Sequence, residues 1–131
     1  MLPYRMLRII IADDHPVVRQ GLKEILKEEF SSVYIEEAED TDSLVTKALS
    51  DNWDLVISDL AMPGGGGVEA LKKIRTVKFT LPVIILSTYS VEQYESRVLR
   101  AGAQRFISKD SLPNGLLQAI QTILHDKLQA M

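Results

Sequence analysis

Short apolar runs alternate along this chain with segments whose apolar residues recur at helical spacing. Leu7–Ala12 reads as a strand, and Pro16 then suits a first helical position, where its missing N–H costs nothing. Val18, Leu22, Ile25 and Leu26 fall on one helical face. After Ser31 and Ser32, "VYIEEAE" alternates, with Val33 and Ile35 on one side and Tyr34 and Glu36 on the other, as an edge strand would. Thr41 or Asp42 is expected to cap a helix containing Leu44, Val45, Ala48 and Leu49. "DLVIS" is a buried strand, "MPGGGG" a loop, and Val68, Leu71 and Ile74 mark a third helix. "LPVIILS" is a fourth strand, with Pro82 where a ladder donor can be spared. The spacing predicts a helix over Val91 to Ala101, stopped by Gly102. "RFISK" is a short fifth strand, and Pro113 opens a last helix whose Leu116, Leu117, Ile120, Ile123 and Leu124 face inward.

Strict alternation of strand and helix implies a parallel sheet with helices on both faces and right-handed crossovers. The expected fold is α/β, a flavodoxin-like (βα)5 with a five-stranded parallel sheet of order 2-1-3-4-5. In that order the first and third strands are neighbours, where the winding reverses. Ligands of such sheets bind beyond the carboxyl ends of the strands at that point.

The 131 residues fit one compact domain. With no cysteine, disulfides, thiolate catalysis and Cys-ligated zinc are excluded, and a cytoplasmic location fits. The N-terminal "MLPYRMLRII" lacks the features of a signal peptide, and no run is long enough for a membrane span. A formal charge of −3 without a basic stripe disfavours nucleic-acid binding by this chain itself.

The chemistry sits after the strands. The first is followed by Asp13 and Asp14, and the third by Asp59; the fourth ends at Ser87 and Thr88, and the fifth at Lys109. Parallel strands bring these positions to one edge. Neighbouring strands lie about 4.8 Å apart, so Asp13 and Asp14 must approach Asp59. Three carboxylates there repel one another, and a divalent cation resolves the repulsion. Oxygen-only ligands point to Mg²⁺ or Mn²⁺. Lys109 adds a mobile positive charge and Ser87 a hydroxyl donor, which together make a pocket for a dianionic phosphoryl group. Asp59 is the natural nucleophile, since a carboxylate can attack phosphorus to give an acyl phosphate.

"IADDHPVVRQGL", "DLAMPGGGGVEAL", "VIILSTYS" and "AGAQRFISKD", in this order, resemble the receiver domain of a two-component response regulator. "DDHPVVRQGL", and "KD" where other receivers have Lys-Pro, place the likeness nearest the NarL/FixJ (LuxR-like) subfamily. The resemblance spans residues 1–131. It implies that Asp59 is the phosphoacceptor, that Asp14, Asp59 and the backbone carbonyl of Ala61 hold Mg²⁺, and that Asp13 acts through a bound water. It makes Ser87 the switch hydroxyl, Phe106 the switch aromatic and Lys109 the partner of the phosphoryl group. By the same resemblance the donor is the phosphohistidine of a sensor histidine kinase. The chain would be a switch with only slow self-phosphotransfer and self-dephosphorylation, and phosphorylation would favour a homodimer. Relatives of this type usually carry a C-terminal helix-turn-helix domain, absent from this chain, through which the parent protein would bind DNA and regulate transcription. A single-domain regulator or an unphosphorylated receiver-like interaction module is the alternative.

Two departures from the family pattern stand out. Lys109-Asp110 is not prolyl, so a cis bond would cost about 2.5–4 kcal/mol and a trans bond is expected. Thr88 replaces the small residue many receivers have beside the acyl phosphate, and Ala61 and Tyr89 flank the same position. A phosphatase with an Asp nucleophile would want a second aspartate two residues on, where Ala61 stands. A flavin or nucleotide site would want a glycine- and hydroxyl-rich first loop, which here is acidic. No Gly-Lys-[Ser/Thr] follows Gly64–Gly67, so these glycines are not a P-loop. His15 is assigned to starting the helix rather than to chemistry, His125 to the solvated surface and Trp53 to packing at the opposite edge. Tyr94 and Val98 face the core or an interface.

Overall fold

The computed structural model describes residues 6–89 and 91–130. Residues 1–5 of the N-terminal stretch weighed against a signal peptide, and the Ser90 end of "VIILSTYS", lie outside the described residues. The elements run β1 (Leu7–Ala12), α1 (Pro16–Glu29), β2 (Val33–Ala38), α2 (Thr41–Ser50), β3 (Leu55–Asp59), α3 (Gly66–Arg75), β4 (Val83–Ser87), α4 (Val91–Arg100), β5 (Arg105–Ser108) and α5 (Asn114–Ala130). The strands form one sheet in the order β2-β1-β3-β4-β5, and every pairing is parallel. This is the expected flavodoxin-like topology.

Because side chains alternate across a strand, each β-strand feeds two cores. Ile10, Val56 and Ile85 pack with Leu44, Ala48, Leu71, Ile74, Val98 and Phe106 on one face. Ile9, Ile11, Ile57, Ile84 and Leu86 pack with Leu22, Leu26, Leu116 and Ile120 on the other. Each fully buried Ile or Leu contributes about 1.5–3 kcal/mol. The register fixes where the strands stop. Ala12 lies opposite Ala38 and Ser58, Asp59 opposite Leu86, and Ser87 opposite Ser108. The residues at and just after these ends therefore share one edge.

Several local expectations are corrected. The α2 cap is Asp40, whose side chain accepts the Ser43 N–H at 2.8 Å, and not Thr41 or Asp42. Thr41 is instead buried, tying α2 to the β3–α3 loop. Its hydroxyl accepts the Gly66 N–H at 2.9 Å, and its N–H donates to the Pro63 carbonyl at 3.0 Å. Gly66 and Gly67 are not loop but the first residues of α3. A Cβ at Gly66 would lie 2.6 Å from the Leu60 carbonyl oxygen, and one at Gly67 would lie 2.4 Å from that of Asp59. The helix begins pressed against the exit of β3, and only glycine fits. The fifth strand stops at Ser108 rather than Lys109, because the Ser108 hydroxyl accepts the Asp110 N–H at 3.1 Å and starts a single 3-10 turn over Lys109–Ser111. Pro113 stands just outside α5, its carbonyl accepting the Leu117 N–H at 3.1 Å. The α4 helix ends one residue early, at Arg100, with Gly102 in the left-handed region. Lys109-Asp110 is trans as expected; the cis bond among the described residues is Leu112-Pro113. Val98 is core and Tyr94 half-buried against it.

Candidate functional site

Beyond the carboxyl ends of β1 and β3 lies an open cleft of about 470 Å³, lined by Asp14, His15, Asp59, Ala61, Thr88, Tyr89 and Lys109 among others. Asp13 is buried beside it, only 1 % exposed, with its N–H bonded to the Ala38 carbonyl at 3.0 Å. Asp14 follows on the exposed side. Asp59 ends β3 at 7 % exposure. Ligand-type atoms of Asp13, Asp14, His15 and Asp59 all lie within 4.8 Å of one another. Lys109 reaches across from the β5 side, its Nζ 3.2 Å from Asp13 Oδ2 and 3.3 Å from Asp59 Oδ1.

The electrostatics follow from this crowding. Burial pushes the Asp59 carboxyl above the usual carboxylate range; the Lys109 charge pulls against that, and Asp13 adds to it. His15 joins the cluster as well as preceding the helix, although its place before Pro16 assigns it to the helix start alone. Its Nδ1 lies 2.9 Å from Asp13 Oδ1 and 3.0 Å from Asp14 Oδ1, and its backbone N–H donates to Asp13 Oδ1 at 2.8 Å. The hydrogen bond to Asp13, then the charge of Asp14, raises the His15 pKa above its ordinary value. Pro16 fixes the start of α1, and that start folds the ring of the preceding residue back over the acidic pair. A histidine two residues beyond a strand-end aspartate, just before a helix, was the available signal.

Not every expected residue faces the cleft. Thr88 lines it, as does Ala61. Ser87 is fully buried, and its Oγ accepts the Tyr89 N–H at 2.8 Å. Phe106 is 7 % exposed and packs inward with Val98 and Tyr94. Arg19, which the sequence reading did not single out, donates from Nη1 to the Asp13 carbonyl at 2.6 Å and from Nε to Glu37 Oε1 at 2.9 Å.

A carboxylate cluster with a facing lysine thus lies at the point where the winding of this doubly wound sheet reverses, the place where such sheets bind their ligands. The particular family follows from comparison with known proteins. The chain belongs to the response regulator receiver domain family, whose model matches residues 9–121. It is 30% identical over 118 residues to the response regulator UvrY of Escherichia coli K12, covering 90% of this chain and 54% of that protein. A LuxR-family two-component response regulator from Aurantimonas superimposes with a TM-score of 0.85 at 31% identity, over 93% of this chain and 87% of the other. The response regulator TrrA from Thermotoga maritima, solved in complex with Mg²⁺ and BeF, superimposes at 0.81 with 35% identity, over 90% and 99%. These likenesses place the chain with the LuxR-like (NarL/FixJ-type) receivers of two-component systems, signalling domains rather than classical enzymes. The chain spans about half the length of the curated relatives it matches.

Proposed function

We propose that this receiver domain accepts a phosphoryl group on Asp59 from the phosphohistidine of a sensor histidine kinase, in a Mg²⁺-dependent reaction. The observation supporting this most directly is Asp59 Oδ1 held 3.3 Å from Lys109 Nζ at the base of a solvent-open acidic cleft. Asp13, Asp14 and Asp59 offer hard oxygens within 4.8 Å of one another, with a His15 ring nitrogen in the same group, and the three carboxylates fit Mg²⁺. Asp14, Asp59 and the Ala61 carbonyl would hold the ion directly, and Asp13 would hold it through water. When bound, Mg²⁺ neutralises charge on the carboxylates and on the incoming phosphoryl oxygens.

The chain's own groups do the rest. An Asp59 carboxylate oxygen attacks phosphorus; the P–O bond forms as the P–N bond to the kinase imidazole breaks, and the imidazole leaves with the electron pair. Lys109 exchanges its bond to Asp59 for one to a phosphoryl oxygen. Ser87 gives up the Tyr89 N–H and turns its hydroxyl to the phosphoryl group, and Phe106 shifts with it. Thr88 and Tyr89 border the approach of water. The output is transcriptional control through a DNA-binding domain outside this chain, in a cytoplasmic regulator that dimerises on phosphorylation.

Incubation with acetyl phosphate and Mg²⁺, read by intact mass, tests the reading. A single phosphoryl adduct is expected, absent from Asp59→Ala and absent when a chelator is added. No adduct on the wild type overturns it and leaves an unphosphorylated interaction module; an adduct that survives Asp59→Ala overturns Asp59 as the acceptor.

A further inference from the structure

The Asp13 peptide is held from two sides. Its N–H donates to the end of β2, at the Ala38 carbonyl. Its carbonyl accepts Arg19 Nη1 at 2.6 Å, from the first turn of the helix that the acidic loop itself feeds into. Arg19 is aimed there by a second bond, Nε to Glu37 Oε1 at 2.9 Å. Glu37 is fixed in turn by Lys23, 3.1 Å away. The Arg19 side chain is only 13% exposed. Its planar fork spans a carbonyl and a carboxylate at once, which a lysine ammonium on a flexible stem does poorly. None of these atoms lines the cleft, and the unit joins α1, β2 and the β1–α1 loop.

We propose that Arg19, braced by Glu37, is a positioning residue that sets the orientation of the Asp13–Asp14 peptide and thereby the cation affinity of the cleft. This rests on the reading of that cleft as a Mg²⁺ site. With the Asp13 carbonyl fixed, the peptide plane leading into Asp14 has one orientation, which holds the buried Asp13 and the exposed Asp14 within 4.8 Å of each other at the cleft. Without Arg19 that plane is free to rotate, and each orientation that misdirects Asp14 lowers affinity without removing a ligand. Groups that orient metal ligands typically change affinity by ~10–100-fold when removed.

Backbone amide spectra recorded against added MgCl₂ test this. For Arg19→Gln the Mg²⁺ dissociation constant is expected to rise roughly tenfold, with partial recovery in Arg19→Lys. Arg75→Gln is the control for a purely structural arginine. Arg75 is also half-buried and bonded to carbonyls, of Gly102 at 2.8 Å and Lys78 at 3.0 Å, but at the opposite edge of the sheet. It is expected to lower stability and leave Mg²⁺ affinity unchanged. Arg19→Gln binding Mg²⁺ like the wild type, or Arg75→Gln weakening binding equally, overturns the proposal. A wild type that shows no Mg²⁺ shifts overturns the metal reading itself. Amide hydrogen exchange at His15, whose N–H is bonded to the Asp13 carboxylate, then judges the positioning alone. Arg19→Gln should accelerate that exchange and Arg75→Gln should not; unchanged exchange in Arg19→Gln overturns the proposal.

Discussion

Asp59 carries a negative charge that the folded state disfavours. Its carboxyl is pushed up chiefly by burial, so folding favours the protonated form. The stability linked to that shift is complete below the ordinary Asp pKa of about 3.9, and it is lost as the pH rises through the raised folded value. Asp59→Asn keeps the shape and removes the charge. Its thermal midpoint should exceed the wild type's by a few degrees near neutral pH, and the gap should close at about pH 3. Circular-dichroism melts at both pH values check this; an equal or lower midpoint at neutral pH contradicts it. At this scale the sequence brings the candidate side chains to one edge but does not tell all of what they touch. Asp13, Asp14, Asp59 and Lys109 could be brought together because strand ends in a parallel sheet must converge. Nothing local to Ser87 told that its hydroxyl would be occupied by the Tyr89 N–H. For His15 the spacing after Asp13 is a signal of proximity, but that its ring leans on both Asp13 and Asp14 depends on loop torsions beyond the strand end.

The junction of β3 and α3 shows how an element serves the site. Gly66 and Gly67 let the helix start directly against the Leu60 and Asp59 carbonyls, and Thr41 anchors that start to α2. Gly67→Ala would place a methyl 2.4 Å from the Asp59 carbonyl oxygen, so backbone has to move. The expected loss is about 1–3 kcal/mol, as for overpacking elsewhere. It should appear as a lower urea midpoint together with reduced acetyl phosphate labelling, because the displaced backbone is that of Asp59, the proposed acceptor. Periodicity locates the five strands and five α-helices among the described residues, yet it assigns these glycines to a loop. Glycine reads as a breaker on its own; the neighbouring strand, which makes it obligatory in a helix, lies earlier in the chain. The cap was misplaced for a similar reason. Asp40, Thr41 and Asp42 are all capable, and the choice turned on Thr41 being drawn inward to Gly66.

For the molecule as a whole, the strand order was legible because five βα repeats leave few right-handed ways to wind. The paired cores followed from alternation along strands buried on both faces. The Arg19–Glu37–Lys23 unit was not legible, since it depends on side chains of α1 and β2 meeting across a packed interface. A cation that binds only the folded domain must stabilise it by mass action. Mg²⁺ at ten times its dissociation constant should add about 1.4 kcal/mol to unfolding in urea. A chelator should remove that increment.

The cluster of Arg8, Tyr34 and Trp53 has an optical consequence. Trp53, the single tryptophan of the chain, stacks on Tyr34 at 6.1 Å between ring centroids, and the Arg8 guanidinium lies 4.8 Å from its ring. Its Nε1 donates to the Lys47 carbonyl at 2.9 Å. It precedes β3, whereas Asp59 ends that strand, a separation of about 20 Å at strand rise. The indole is therefore a fluorophore at the far end from the chemistry. Its emission should follow loss of the fold and stay constant when Mg²⁺ or acetyl phosphate is added to native protein. Loss of the fold can thus be followed in the presence of either ligand without interference from ligation, and with no label attached near the cleft.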